Sequence, residues 1–515
     1  MIIRLRALFL SLYQQLSKQR FMRHYVIYSL LLSSCFFVIG CNSWLDVKPY
    51  DQISEKDLFE TETGFLRLLN GVYIDMNDDA LYGRTLTVEM LELLTYNYLI
   101  GDDPTYWGDY IDLKNRNFTS EYWTSRLDAT WDKAYALIRN CNTLLENIDS
   151  RRALFTGNNY NLVKGEALAL RALLHFDMFR LFGPVYKINP TGKSIPYYST
   201  TSLQIQELLP ANEVIVRLLD DLKNAAQLLA EDPILTEDPL TPANTGGSSF
   251  TSYRALRLNY YAVQALLSRV YWWASANTED ENYSEYVRLA IEHAMTVINS
   301  RKFPFVDKSL VLGSPENPDR IFYTECIFSL TNTSRGLLFK NNNDPQLLPK
   351  PVLTMDPALL ESPYFGGDDL YGGSTDDYRY IANWSKIGSS YYFYKYSDLP
   401  DVSLMRNTMI PMIRIGEMYL IIADLQTERA DKAYWVNQLR AHRGVRSQPE
   451  DNTFRPSFVG YEYLRELYGE GQTFYYNKKN YSVIMTKFEG ISEFVDASEK
   501  LYVIPLPDTE IENRQ

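Results

Sequence analysis

Residues 121–149 carry Trp123, Leu127, Trp131, Tyr135, Ile138 and Leu145 at intervals of three, four and seven. On a helix this spacing gathers all six rings and aliphatic chains into one apolar stripe. The pattern returns along the chain. Phe59, Phe65, Leu68, Leu69 and Val72 form one stripe, and Val163, Ala167, Leu170, Leu174, Met178 and Leu181 form another, stopped by Gly183-Pro184. Asn212 reads as the cap of a further helix that runs to Leu229 before Asp232-Pro233. Residues 254–276 and 283–300 read as a helical pair, and 413–428 and 431–443 as a last pair with a very short turn. A chain that keeps writing amphipathic helices must bury them on one another. Pairs of this length suggest a tetratricopeptide-like solenoid, although no exact repeat and no repeat consensus is present. The expected fold is mainly α, with tetratricopeptide-like helix pairs, a loop-rich variable region and few short strands.

Between 301 and 412 the helical pattern breaks. Gly, Pro, Asn, Asp and Tyr dominate, and short β-like runs occur at Ile321-Phe322-Tyr323 and Cys326-Ile327-Phe328. Asn341 to Tyr378, Tyr392 to Asn407 and Gly101 to Phe118 read as long loops, which in compact domains are functional or disordered. Gly246-Gly247-Ser248-Ser249 reads as a linker.

The N-terminus resembles an export signal. Basic residues precede an apolar run from Val26 to Ile39, and Val38-Ile39-Gly40-Cys41 has the layout of a lipoprotein cleavage site. The run is shorter than the ~20 residues needed to span a bilayer. We therefore expect a signal peptide over 1–40, lipidation of Cys41, a tether over 41–54, an N-terminal helical region over 55–300 and a C-terminal region with variable loops over 301–515. Met22 is an alternative start to Met1. Residues 1–40 hold five basic and no acidic side chains, so their removal takes the formal net charge from −13 to −18. That charge argues against nucleic acid, whose recognition rests on phosphate neutralisation by Lys and Arg. Cys141 and Cys326 are far apart in sequence; one disulfide is open to an exported protein, and two buried free thiols are the preferred reading.

Catalytic signatures are missing: no G-x-S-x-G elbow, no phosphate loop and no H-E-x-x-H helix. His24, His175, His293 and His442 are too few and too scattered for a metal site, and no cofactor motif occurs. A glycosidase needs only two suitably spaced carboxylates, but nothing nominates a pair among the 64 acidic residues. What remains is aromatic. The chain has 40 Tyr, 24 Phe and 8 Trp, and such rings offer flat faces on which sugar rings or peptide side chains stack. Trp123, Trp131, Trp272 and Trp273 lie in helical stripes and read as core. Tyr106, Trp107 and Tyr110 in one loop, and Tyr378, Tyr380 and Trp384 near another, stand where binding residues concentrate.

Several segments resemble the SusD/RagB family, surface lipoproteins of Bacteroidetes that pair with a TonB-dependent transporter. They are Trp44-Leu45-Asp46-Val47-Lys48-Pro49 after the lipid cysteine, Thr61 to Tyr73, Gly165-Glu166-Ala167-Leu168-Ala169-Leu170-Arg171-Ala172 through Gly183-Pro184-Val185, Pro411 to Leu420, Asn437 to Gly444, and Leu501-Tyr502-Val503-Ile504-Pro505. The chain departs from the family pattern at Gly416, where the family has Ala, at Asp424, where it has Glu, and at Leu464-Arg465-Glu466, although Glu470-Gly471 survives. The matching segments are scaffold, and Glu417, Arg440 and Arg443 are expected to form structural ion pairs between helices.

The resemblance implies a non-catalytic lipoprotein on the outward face of the outer membrane. It would bind a glycan, or in the peptide-importing branch an oligopeptide, and close over a SusC-like TonB-dependent transporter. It further implies ligand platforms in a loop of the N-terminal half and in the variable middle. Tyr106, Trp107, Tyr380 and Trp384 fall in those two regions and are the candidate ligand-binding residues, with Cys41 the lipidation site.

Overall fold

The stripe beginning at Trp123 forms the longest described helix. The computed structural model describes residues 58–241, 249–348, 350–365, 373–489 and 491–514; the expected signal, Cys41, the tether and most of the Gly246–Ser249 linker lie outside them. In chain order the longer N-terminal helices are α1 (Glu62–Asp75), α2 (Pro104–Lys114), α3 (Glu121–Ile148), α4 (Asn159–Phe182), α5 (Ala211–Leu228), α6 (Tyr260–Ala274) and α7 (Tyr283–Ser300). After α7 come α8 (Tyr378–Asn383), α9 (Ile415–Leu425), α10 (Arg429–Arg440), α11 (Ser457–Leu467) and α12 (Thr473–Asn480). Neighbours in sequence pack on one another: α3 on α4, α4 on α5, α5 on α6, α6 on α7, then α7 on α9 and α9 on α10. This is the tetratricopeptide-like stacking that the paired stripes predict.

Local chemistry sets the helix starts. The Thr61 hydroxyl accepts from Gly64 N at 3.2 Å to cap α1, and the Asn259 side chain accepts from Ala262 N at 3.0 Å to cap α6. Asn212 is not a cap: α5 starts one residue earlier, after Pro210, with no side-chain cap bond. The expected loop over 101–118 is largely helix, because Asp103 accepts from Thr105 N at 2.9 Å and Pro104 occupies the first helical position.

Helix α4 is the axis of the N-terminal half. Every residue from Gly165 to Phe182 is buried, so the helix carries charges into the core and must pair them there. Glu166 takes Arg254 at 2.6 Å and Arg257 at 2.8 Å, and Arg171 holds Asp221 at 2.6 Å. His175 is a satisfied core residue: Nδ1 meets Arg171 O at 2.9 Å, Nε2 accepts from Tyr198 N at 3.1 Å, and the ring stacks on Tyr197. Burial pushes its pKa down to about 3, so it is neutral. Trp123, Trp272 and Trp273 are fully buried, as their helical positions predict.

Strands are few. β1 (Cys326–Thr331) pairs antiparallel with β4 (Met409–Arg414), while β2 (Trp384–Ile387) with β3 (Ser390–Phe393) and β5 (Ile484–Glu489) with β6 (Ile491–Val495) form antiparallel hairpins. Ile321–Tyr323 is not a strand. The Asp319 carboxylate accepts from Ile321 N and Tyr323 N, Phe322 adopts φ +55°, and the chain bends into a turn before β1. Cys141 and Cys326 are both free and buried.

The loop-rich region is tied to the helices by a buried charge cluster. Glu466 of α11 receives Arg379 of α8 at 3.1 Å, Arg414 at 2.5 Å and Arg443 at 2.6 Å. Arg443 also reaches Glu325 at 2.6 Å, Arg440 pairs with Glu462, and Glu417 receives Arg269 Nε at 2.8 Å. The expected structural roles of Glu417, Arg440 and Arg443 are thereby realised. Gly416 has a reason as well: a Cβ there would sit 2.6 Å from Glu466 Oε1. Gly471, at φ +69°, lies where a Cβ would meet Leu86 O at 2.0 Å, so the Glu470-Gly471 pair requires glycine.

Candidate functional site

The four aromatic candidates fall on two elements. Tyr106 and Trp107 stand on α2. Tyr106 is 44% exposed, whereas Trp107 is half-buried against Tyr110, at 5.9 Å between ring centroids. Tyr110 meets Trp123 edge to face at 6.5 Å, and the Trp123 indole N–H donates to Asp109 O, so α2 is pinned to α3 by its aromatic face. Tyr380, on α8, is half-buried between Phe365 at 5.4 Å and Tyr391 at 6.3 Å. Beside them the exposed Glu361 accepts from the Tyr391 hydroxyl at 2.5 Å and from Lys386 Nζ at 2.7 Å.

Trp384 contradicts its expected role. It is 9% exposed, and its ring lies against Phe393 at 4.9 Å and Tyr468 at 5.2 Å. The ring anchors the β2–β3 hairpin to α11's C-terminal end, and no free face remains for a ligand. The two expected regions are neighbours all the same. Leu99 N donates to Thr354 O at 2.8 Å, and the Thr354 hydroxyl donates to Tyr391 O. No ring contact joins Tyr106 or Trp107 to Tyr380 or Trp384 among the described residues.

A cleft of about 260 Å³ opens beside this anchor. Asn97 and Tyr364 line one side, Tyr461 of α11 and Asn477 of α12 another, and Phe494 of β6 the rim. Tyr364 reaches the cleft because Phe365, the next residue, turns back onto Tyr380, and the Arg465 guanidinium holds the Tyr364 carbonyl. The Tyr364 hydroxyl donates to Asn97 Oδ1 at 3.3 Å, and the Tyr364 and Tyr461 rings meet edge to face at 6.4 Å. Phe494 is 59% exposed. Gly460 leaves room for the Tyr476 ring, which a Cβ would approach to 3.2 Å. The Thr473 hydroxyl, also in the wall, is buried without a hydrogen-bond partner.

The chemistry of this lining is uniform. Ser457, Ser482, Thr95 and Thr473 add hydroxyls to the two amides and the aromatic rings, and no described lining residue carries a charge. Hydroxyl and amide groups exchange hydrogen bonds with a polyhydroxylated ligand, and the rings take its apolar C–H faces. Among the described residues no group of His, Cys, Asp and Glu is arranged to hold a metal ion, and no helix is long and apolar enough to cross a membrane. The sequence reading missed this site because its walls come from five separate segments. A local signal existed in Phe458, Tyr461 and Leu464, spaced three apart as in a helix.

A family model described as "Starch-binding associating with outer membrane", SusD-like, matches residues 43–244. SusD-like protein P38 of Formosa agariphila is 30% identical over 207 residues, 39% of this chain and 36% of that protein. SusD-like protein P2 of the same organism is 28% identical over 201 residues, 38% of this chain and 36% of its own. These matches span about a third of each curated relative. Among solved structures, a SusD superfamily protein from Bacteroides thetaiotaomicron superposes with a TM-score of 0.64 at 20% identity, covering 88% of this chain and 98% of that one. A surface glycan-binding protein A from Bacteroides fluxus gives 0.60 at 18% identity, covering 88% and 96%. The structural likeness shows the fold, and over residues 43–244 the chain is similar to SusD-like proteins.

Proposed function

We propose that the protein is a non-catalytic lipoprotein, anchored through Cys41 in the outer membrane and facing outward, that captures a glycan and passes it to a SusC-like TonB-dependent transporter. The observation that carries the binding role is the uncharged cleft among Asn97, Tyr364, Tyr461 and Phe494. Its volume accommodates one or two sugar rings, and its open rim lets a longer chain continue outside. Tyr106, Trp107 and Tyr380 keep accessible ring surface and are retained as outlying contacts; Trp384 is withdrawn because it is buried. The family model's description, which names starch binding and association with the outer membrane, supports the same reading.

Affinity electrophoresis across a panel of polysaccharides, with calorimetry on their oligosaccharides, tests the reading. Retardation by at least one glycan, with its chain length unchanged after incubation, is expected. Binding of oligopeptides with no glycan bound would move the protein to the peptide-importing branch, and shortening of the polymer would make it a glycosidase. Co-purification with a transporter from detergent-solubilised outer membrane tests the partner.

A further inference from the structure

The β5–β6 hairpin and the segment 95–97 divide two recesses. Thr95, Asn97 and Phe494 face the uncharged cleft, while the alternate residues Tyr96, Glu493 and Val495 line a second groove of about 480 Å³. Side chains along strand β6 alternate between faces, and the turn at Tyr96, at φ +61°, sends its side chain away from those of Thr95 and Asn97, so one short wall serves both. The second groove has the opposite chemistry. Lys114, Arg116 and Lys500 line it, in a chain whose formal net charge is −13.

Arg116 is nine-tenths buried. Its guanidinium donates to three backbone carbonyls, Leu501 at 3.1 Å, Leu113 at 3.2 Å and Leu94, and it lies over the Tyr96 ring at 4.8 Å. The three carbonyls take three of its five N–H groups and do not neutralise its charge, and no carboxylate pairs with it among the described residues. Burial accordingly pushes its pKa down to about 10. Most other buried arginines here meet an acid: Arg171, Arg254, Arg269 and Arg443 all do. Lys114 and Lys500 have no carboxylate partner among the described residues either. Glu493, the acid in the lining, has an interaction of its own. Lys114 ends α2, where a cation also suits the helix dipole, but that role does not require Arg116 and Lys500 beside it. Both Tyr96 and Arg116 hold positive φ, +61° and +58°. Non-glycine residues enter that region at a cost, and such strain concentrates at functional sites.

We infer that this groove is an anion-binding site, taking a carboxylate or sulfate group between Lys114, Lys500 and the Arg116 guanidinium. The group is either a free small anion or an acidic substituent of a polymer. The inference is independent of the glycan reading of the neighbouring cleft. Selenate, a sulfate analogue with a strong anomalous signal, is the probe. Crystals of the protein soaked in selenate should show an anomalous peak in the groove, and the Lys114→Ala/Lys500→Ala variant should lose it. In solution, calorimetry with sulfate should show affinity falling about tenfold or more in that variant, as loss of charge-assisted bonds predicts, with the melting temperature unchanged because both lysines lack partners. A sulfated oligosaccharide binding more tightly than sulfate would assign the site to a polymer substituent; equal binding would assign it to the free ion. No peak in the groove, or a peak and affinity unchanged in the double variant, overturns the inference.

Discussion

Glu466→Gln should be among the most damaging single substitutions in this protein outside its apolar core. The carboxylate is fully buried among three guanidiniums, Arg379, Arg414 and Arg443. Gln keeps the volume and one acceptor oxygen but leaves three buried cations short of one negative charge. Breaking a buried pair by removing one partner costs about 3–5 kcal/mol. Each arginine retains another acid, Asp377 and Glu462 for Arg379, Glu470 for Arg414 and Glu325 for Arg443. The lower end of that range, about 3 kcal/mol, is therefore expected. It is a large share of the roughly 5–15 kcal/mol that stabilises a folded domain. Urea unfolding followed by circular dichroism measures it. Burial alone would raise the Glu466 pKa, but the Arg443 and Arg414 guanidiniums hold its carboxyl well below the usual range. A depressed folded pKa contributes stability that is complete above the unfolded value and is lost as pH falls toward the folded one. The gap between wild type and variant should then be constant from pH 8 to about 5 and shrink below about 4.5. A loss under about 1 kcal/mol at pH 7, or a gap that widens on acidification, would refute the reasoning.

Three further outcomes are expected. Trp384→Ala should destabilise by about 3–5 kcal/mol, as large core truncations do, whereas Tyr106→Ala should leave the unfolding midpoint nearly unchanged; equal effects in one urea series would contradict the burial assignment. Burial pushes the Glu92 pKa up to about 7, against hydrogen bonds from Gly469 N and Asn97. A raised folded pKa gives stability present below the unfolded value and lost as pH rises through the folded one, so Glu92→Gln should gain up to about 3 kcal/mol over wild type at pH 8 and nothing at pH 4, read from midpoints across pH. Cys41→Ala should abolish surface labelling on intact cells, and normal labelling would refute the lipid anchor.

The helical scaffold was legible because amphipathic spacing is a local signal. The stripes at 121–149, 161–181 and 283–300 correspond to α3, α4 and α7. Helix α2 was legible in principle, since Asp103-Pro104 is a start signal, but Asp, Gly and Tyr around it read as loop. The ion pairs of Glu417, Arg440 and Arg443 followed from the resemblance; Glu466 as their hub did not, because its partners come from positions 379, 414 and 443. Trp384 shows the limit most sharply. Its cover includes Tyr468, 84 residues downstream, and no local pattern separates an exposed loop tryptophan from one buried by a distant ring. The cleft was hidden for the same reason, as Asn97, Tyr364, Tyr461 and Phe494 meet only in the folded chain.

Calorimetry of the bound oligosaccharide against wild type, Tyr461→Ala and Phe494→Ala decides whether the cleft is the ligand site. Each ring contact contributes about 0.5–1.5 kcal/mol beyond burial, so each variant should bind about tenfold more weakly, with a melting temperature close to wild type. Wild-type affinity in both variants would contradict the proposal that the uncharged cleft is a glycan site.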